Sequence, residues 1–248
     1  MLNNSEEYKN ISELGNTHWW YRVLHERTIN TIQKNFHSKE ISILDAGCGT
    51  GGLLKKLADT GYQNTFGTDI SETAIAFAKQ KTNSPLIQSD LRDYFNKNSE
   101  QKYDVIIFND VLYFFPEEEI KNILIHAEKT LNENGIIIIN IPAGKIFSGN
   151  HDKVVGINKR YSRGEFLKLV PGNLHVKENK YHPFLLSPVI ALKRISQRWF
   201  NKNSNTSDLK QEPLNNLFYT VTSFETKFFP HASLGSSLFL VLKKETHR

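Results

Sequence analysis

Residues 43–52 read "ILDAGCGTGG", an apolar run that passes directly into a glycine-rich loop. A buried strand followed by such a loop constrains the fold strongly. Glycine lets the backbone turn sharply and approach a ligand with no Cβ in the way. In open α/β sheets that place is the crevice beyond the carboxyl ends of the strands. The loop satisfies two patterns at once. From Gly47 it spells G-x-G-x-x-G, the dinucleotide fingerprint. From Asp45 it spells D-x-G-x-G-x-G, with a carboxylate ahead of the glycines.

The rest of the chain fits the same architecture. Short apolar runs at 41–46, 65–70, 86–88, 103–108 ("YDVIIF") and 136–141 alternate with helical patterns at 52–59, 72–81 and from Pro116 to Lys129. Continuous Ile/Val runs separated by helices predict a parallel sheet covered on both faces. Two further strand patterns, "LHVKENKY" and the closing "SSLFLVLKK", bring the expected sheet to seven strands: an α/β, doubly wound, mostly parallel, Rossmann-like fold. Ahead of it, residues 1–40 carry "HWWYR" and a helical pattern to about Phe36. Between the last two strands lie an amphipathic stretch at 185–200 and a polar tract, "NKNSNTSDLKQEPLNN", that reads as a mobile excursion. Length predicts one domain over 1–248: an N-terminal helical lid (1–40), a cofactor-binding core (41–142) and an acceptor-side lid with final strands (143–248).

Composition narrows the classes. A hydrophobic share of 39% with 23% charged residues suits a globular protein, and no apolar run reaches the roughly 20 residues that cross a bilayer. The start, "MLNNSEEYKN", lacks a signal-peptide pattern, and one cysteine fits a reducing compartment, so a cytoplasmic location is expected. The 31 basic against 26 acidic residues leave +5, spread along the chain as on a solvated surface.

Three features separate the possible ligands of the loop. Asp45 would repel a pyrophosphate but suits a ligand bearing an ammonium group. Asp69 closes the second strand, where a carboxylate can accept from both ribose hydroxyls. Asp90 follows the third strand, within reach of an adenine amino group. Together "ILDAGCGTGG", "GTDIS", "QSDL" and "YDVIIFNDVLYF" resemble the four ordered motifs of the class I S-adenosylmethionine-dependent methyltransferases, from residue 41 to about 142. The resemblance implies S-adenosylmethionine as cofactor. Gly47, Gly49 and Gly51, with Cys48 between them as a small filler, would line its methionyl and ribose portion. Asp69 and Ile70 would border the ribose, Asp90 and Leu91 the adenine, and Asn109 the sulfonium. "HWWYR" and "HDKVVGINKRYS" are similar to bacterial methyltransferases linked to glycan or lipid modification. That likeness implies that the segment with Trp20 folds over the cofactor and that Arg22 faces its carboxylate; plain core packing is the equal alternative.

Methyl transfer to oxygen needs alignment and a base. Relatives often carry a histidine after the fourth strand, where this chain has Asp110-Val111-Leu112-Tyr113-Phe114. The nearest candidates are His151, beside Asp152, with Tyr161 next and Arg160 as an acceptor-positioning group; pinning of a loop is the competing reading of His151-Asp152. No histidine or cysteine spacing predicts a metal, and no flipped-base motif points to nucleic acid. The expected function is methylation, on oxygen, of a small-molecule or glycan/lipid-linked acceptor. A non-catalytic cofactor-binding partner subunit and a nicotinamide dehydrogenase are the alternatives, and the oligomeric state is open. In the 185–200 stretch, Val189, Ile190, Leu192, Ile195 and Trp199 recur at helical spacing beside Lys193, Arg194 and Arg198. That helix is expected to cap the acceptor pocket or pack on the sheet or, alternatively, to make weak peripheral membrane contact.

Overall fold

The computed structural model describes residues 5–15, 17–149, 152, 155–199, 213–229 and 232–244. Its centre is a seven-stranded sheet of β1 (Ile43–Ala46), β2 (Thr65–Asp69), β3 (Leu86–Gln88), β4 (Tyr103–Asn109), β5 (Leu131–Pro142), β6 (Leu174–His182) and β7 (Ser237–Lys244). The order is β3-β2-β1-β4-β5-β7-β6. Strands β1 to β5 pair in parallel, and β7 inserts antiparallel between β5 and β6. Every strand expected from the sequence is present.

Period-two alternation sends neighbouring residues to opposite faces. Leu44, Ile106, Phe108, Ile137, Ile139, Leu240 and Leu242 pack on one face with α5 (Leu91–Lys97) and α6 (Glu117–Lys129). Ile43, Val105, Ile107, Ile136, Ile138, Phe239 and Val241 pack on the other with α2 (Trp19–Asn35) and α3 (Gly52–Asp59). The unbroken Ile136–Ile139 run thus feeds both cores. The helix α4 (Glu72–Lys79) starts at Ser71, whose hydroxyl accepts from the Ala74 N–H, and α7 (Arg163–Leu167) opens with a capping box between Ser162 and Glu165.

Three helices lie where the sequence offered no clear pattern. α1 (Ser5–Leu14) covers the carboxyl edge of the sheet beside α4. α5 is capped by Asp90, which accepts from the Arg92 N–H. After α8 (Ser187–Trp199), α9 (Asn215–Phe228) packs along α2, with its buried Glu225 accepting from the N–H groups of Phe184 and Leu185 at 2.7–2.8 Å. That carboxylate fastens α9 to the chain leaving β6. Residues 201–212 of the polar tract lie outside the described residues.

Candidate active site

The carboxyl ends of β1, β2 and β4 open into a trough of three adjoining cavities. One of about 220 Å³ is walled by Ile70, Asp90 and Leu91. It shares Tyr8, Gly47, Asp69, Val111 and Phe114 with one of about 160 Å³ that also takes in Asp45, Cys48, Gly49, Lys81 and Asn109. This second cavity in turn shares Ile11, Tyr21, Asp110 and Tyr113 with a third of about 260 Å³.

The glycine loop shapes the middle. Gly47, Gly49 and Gly51 all have positive φ, a region costly for other residues. Their roles differ. A Cβ on Gly47 would strike Val111 at 2.7 Å and one on Gly51 would meet Ala78 at 3.0 Å, whereas one on Gly49 would point into open space. Gly49 therefore leaves a cradle, while Gly51 serves the contact with α4 and is not among the residues that wall the trough. Asp69 fixes the loop: its carboxylate accepts from the N–H of Gly49 and of Ser71, both at 2.9 Å. Burial raises its pKa, and those hydrogen bonds oppose the shift.

Two polar groups in the middle cavity stand out, one an orphaned amide oxygen and one a desolvated carboxylate. The buried Oδ1 of Asn109 is unpaired, although its Nδ2 donates to Thr28 Oγ1 at 3.3 Å. Asp45 is pushed up to about 7, first by burial and then by the charge of Asp69. In the same cavity, Lys81 Nζ donates to the Ser12 carbonyl at 2.9 Å and to Thr50 Oγ1 at 3.4 Å. A desolvated carboxylate, an orphan amide oxygen and an ammonium group match a zwitterionic amino-acid moiety. Cys48 is a buried thiol with its pKa raised, chiefly by burial, which suits a filler.

Several expected site residues sit elsewhere. Arg22 turns away from the trough; its guanidinium lies 3.5 Å over the Tyr219 ring and donates to Asn216, so it belongs to the α2–α9 contact. Trp20 walls the third cavity and not the cofactor side. Asp90 faces the first cavity, but both its oxygens accept from Arg92, at 2.6–2.9 Å, and its pKa falls accordingly. Tyr161 is buried in the apolar core, edge-on to Phe166 at 5.5 Å, and does not wall the third cavity. Arg160 does, yet its guanidinium is held by both oxygens of Asp152 at 2.7 and 2.8 Å and by the carbonyls of Ala143 and Ser236. This buried pair pins the loop after β5. His151 lies outside the described residues.

The third cavity has mostly apolar and aromatic walls, among them Trp19, Trp20, Tyr113, Phe147 and Phe218. Leu186 and, from helix α8, Val189, Ile190, Lys193 and Arg194 line one side of it, in line with the pocket-capping reading of that stretch. Arg194 is 7% exposed, which removes it from any lipid-facing basic row. The side chains of Arg198 and Trp199 are outside the described residues.

Sequence reasoning passed over one residue at the centre. Asp110 follows β4 with φ of 54°, tolerated by Asp more than by most residues. It walls both the second and third cavities. Its Oδ1 accepts from Asn140 Nδ2 at 2.7 Å and its Oδ2 from Trp20 Nε1 at 3.4 Å. The only signal in the letters was the stretch Asp110–Phe114, which lacks the histidine that relatives often carry there.

A seven-stranded α/β sheet with this loop, this acidic residue at the end of β2 and this trough defines a class I methyltransferase fold. A model of the methyltransferase domain family matches residues 37–188, and the chain belongs to that family, among the S-adenosylmethionine-dependent methyltransferases. It is 31% identical over 112 residues to magnesium-protoporphyrin O-methyltransferase of Synechocystis sp., covering 42% of this chain and 48% of that protein. It is 27% identical over 194 residues to ubiquinone biosynthesis O-methyltransferase of Hydrogenovibrio crunogenus, covering 71% and 74%. The crystal structure of Synechocystis magnesium protoporphyrin IX methyltransferase with bound S-adenosylmethionine overlays with a TM-score of 0.55 at 16% identity, over 99% of this chain and 86% of that one. The plantazolicin methyltransferase in complex with S-adenosylhomocysteine gives 0.56 at 19%, over 98% and 89%. The chain spans about half the length of several curated relatives it matches; the two overlays speak to the fold.

Proposed function

We propose that this protein transfers the methyl group of S-adenosylmethionine to a hydroxyl oxygen of a small, mainly apolar acceptor. The observation that carries the reading is the continuous trough, with a glycine cradle at its middle and an aromatic chamber at its far end. The adenine would lie toward Ile70, Asp90 and Leu91, and the ribose hydroxyls against the free lone pairs of Asp69. The ammonium would face Asp45 and Asn109 Oδ1, and the carboxylate Lys81. When bound, the cofactor supplies a methyl carbon activated by positive sulfur. The chain's part is to align the acceptor and exclude water, which α1 and the Trp19–Tyr21 segment do by roofing the trough.

An apolar acceptor follows from the chamber's walls; a bare glycan would leave hydroxyls unmatched there. A lipid-linked acceptor stays within the proposal, because Val189 and Leu192 on α8 and Leu217, Phe224 and Phe228 on α9 are exposed apolar side chains. Weak peripheral membrane contact would use that surface. Among the described residues no helix is long and apolar enough to cross a membrane. We place the protein in the cytoplasm, where the lone buried thiol stays reduced, and treat 1–248 as one domain because β6 and β7 complete the same sheet. Incubation with methyl-labelled S-adenosylmethionine and native extract, followed by mass spectrometry, tests the activity. S-Adenosylhomocysteine formed together with a labelled small molecule is expected; cofactor binding with no labelled product would favour a non-catalytic partner subunit.

A further inference from the structure

We propose that Asp110 is the general base of the transfer and that the acceptor is a phenol-type hydroxyl, whose proton Asp110 takes as its oxygen receives the methyl group. This rests on the function proposed above. Asp110 walls both the cofactor side and the acceptor chamber, so a base there meets the acceptor oxygen where the methyl group arrives.

The carboxylate is aimed by a chain of donors. His182 is fully buried, with burial and the charge of Arg27 holding its pKa well below the usual imidazole range. It is therefore neutral, and its Nε2–H donates to Asn140 Oδ1 at 2.8 Å. Asn140 in turn donates through Nδ2 to Asp110 Oδ1. The Trp20 ring stacks on His182, with centroids 5.1 Å apart and planes 7° apart, while its Nε1–H meets Asp110 Oδ2. Asn140 and His182 are positioning residues: an amide holds the carboxylate but carries no proton away. The Trp20 contact is long, which leaves Oδ2 the oxygen better placed to accept a proton.

The groups facing Asp110 favour a base that works near neutrality. Burial pushes its pKa up to about 6, against the hydrogen bonds from Asn140 and Trp20 and the charge of Arg160. Arg160 is largely neutralised by its bidentate hold on Asp152. Tyr113 on the same turn is raised well above 10 by burial and by Asp110 itself, so it stays protonated. From α8, Lys193 and Arg194 add positive charge to the chamber wall. A base with a pKa near the working pH combines a large ionised fraction with useful basicity. A phenol is matched to such a base more closely than an alkyl alcohol, and the flat aromatic walls suit its ring.

The step balances. The acceptor O–H bond breaks with its electron pair left on oxygen, and that oxygen bonds to the methyl carbon. The carbon–sulfur bond breaks with its pair on sulfur, and the proton passes to Asp110 and on to solvent as product leaves. A hydroxyl and a sulfonium become an ether, a thioether and a proton.

The test uses the full chain with Trp Nε1 labelled and S-adenosylhomocysteine bound. In wild type the Trp20 Nε1–H resonance is expected to titrate with a midpoint near 6. It should stay flat in Asp110→Asn, and the midpoint should move upward in Asn140→Ala, which loses a hydrogen bond to the charged form. Asn tolerates the left-handed backbone, so Asp110→Asn should keep its fold and its affinity for S-adenosylmethionine. Single-turnover methylation of 2-naphthol, catechol and 4-hydroxybenzoate is expected to rise with pH through the same midpoint and to fall about 10²–10⁴-fold in Asp110→Asn. A Trp20 resonance that does not titrate between pH 5 and 8, or an Asp110→Asn variant as fast as wild type, overturns the base. A wild type that binds S-adenosylmethionine yet methylates none of the three probes overturns the phenolic acceptor. Failure to bind S-adenosylmethionine at all would instead overturn the function on which the inference rests.

Discussion

The indole N–H of Trp20 reaches Asp110 Oδ2 across 3.4 Å, joining the first turn of α2 to the left-handed turn that ends β4. Residues 90 positions apart thus meet in the wall of the third cavity, and Asp110 also borders the second. From the same segment as Trp20, Trp19 also walls the third cavity, and Tyr21 walls both the second and the third.

Gly49 and Gly51 should respond differently to the same change. Either Gly→Ala substitution places a side chain at positive φ, a strain of about 1–2 kcal/mol. Gly49→Ala should fold with that modest loss and bind S-adenosylmethionine poorly, because its Cβ fills the cradle. Gly51→Ala should lose more stability, because its Cβ meets Ala78 at 3.0 Å. Thermal melts with and without S-adenosylmethionine separate the two.

Asp45 predicts a proton exchange on binding. With a pKa of about 7 in the folded protein, it is largely protonated at pH 6, and an incoming ammonium would drive the proton off. Calorimetry in buffers of different ionisation enthalpy should show net proton release near pH 6–7, absent in Asp45→Asn. A folded pKa raised above the unfolded 3.8 means stability from this group is complete below about pH 4 and is lost as pH rises through 7. Asp45→Asn should therefore melt higher than wild type at pH 8 while binding the cofactor less well.

Arg160 should matter for the fold. Arg160→Met leaves Asp152 buried without its bidentate partner. Breaking one side of such a pair costs about 3–5 kcal/mol. Urea unfolding should show that loss, whereas Tyr161→Phe should leave turnover near wild type.

Exposed apolar side chains on α8 and α9 predict a weak association with phosphatidylglycerol vesicles, reduced in Leu192→Glu, which is 67% exposed. Co-sedimentation at low salt measures it, and no binding would remove the membrane contact.

The strands and the cofactor side were readable because their signals are local. Ile/Val runs, a glycine loop, an acid that ends β2 and another just past β3 each need only a few neighbouring letters. Where contacts are distant, the letters are silent. Helix α1, "SEEYKNISEL", is too polar to announce itself, although Tyr8 and Ile11 wall the trough. Helix α9, "NNLFYTVTSFETKF", is rich in β-branched and aromatic residues that favour strands, and it is held by Glu225 and by packing on α2. Asp110 was passed over, because its burial and its partners on β5 and α2 exist only in three dimensions. Arg22 misled for the converse reason: its ring partner, Tyr219, is 197 positions away.

The account stands most directly on what the glycine loop and Asp69 hold. Isothermal calorimetry of the full chain with S-adenosylmethionine and, separately, with NAD+ measures it. The account predicts one-to-one binding of S-adenosylmethionine, none of NAD+, and a loss in Asp69→Ala of about 1.5–3 kcal/mol for each charge-assisted hydrogen bond removed. Binding of NAD+ in place of S-adenosylmethionine, or an Asp69→Ala variant that binds S-adenosylmethionine as wild type does, would contradict it.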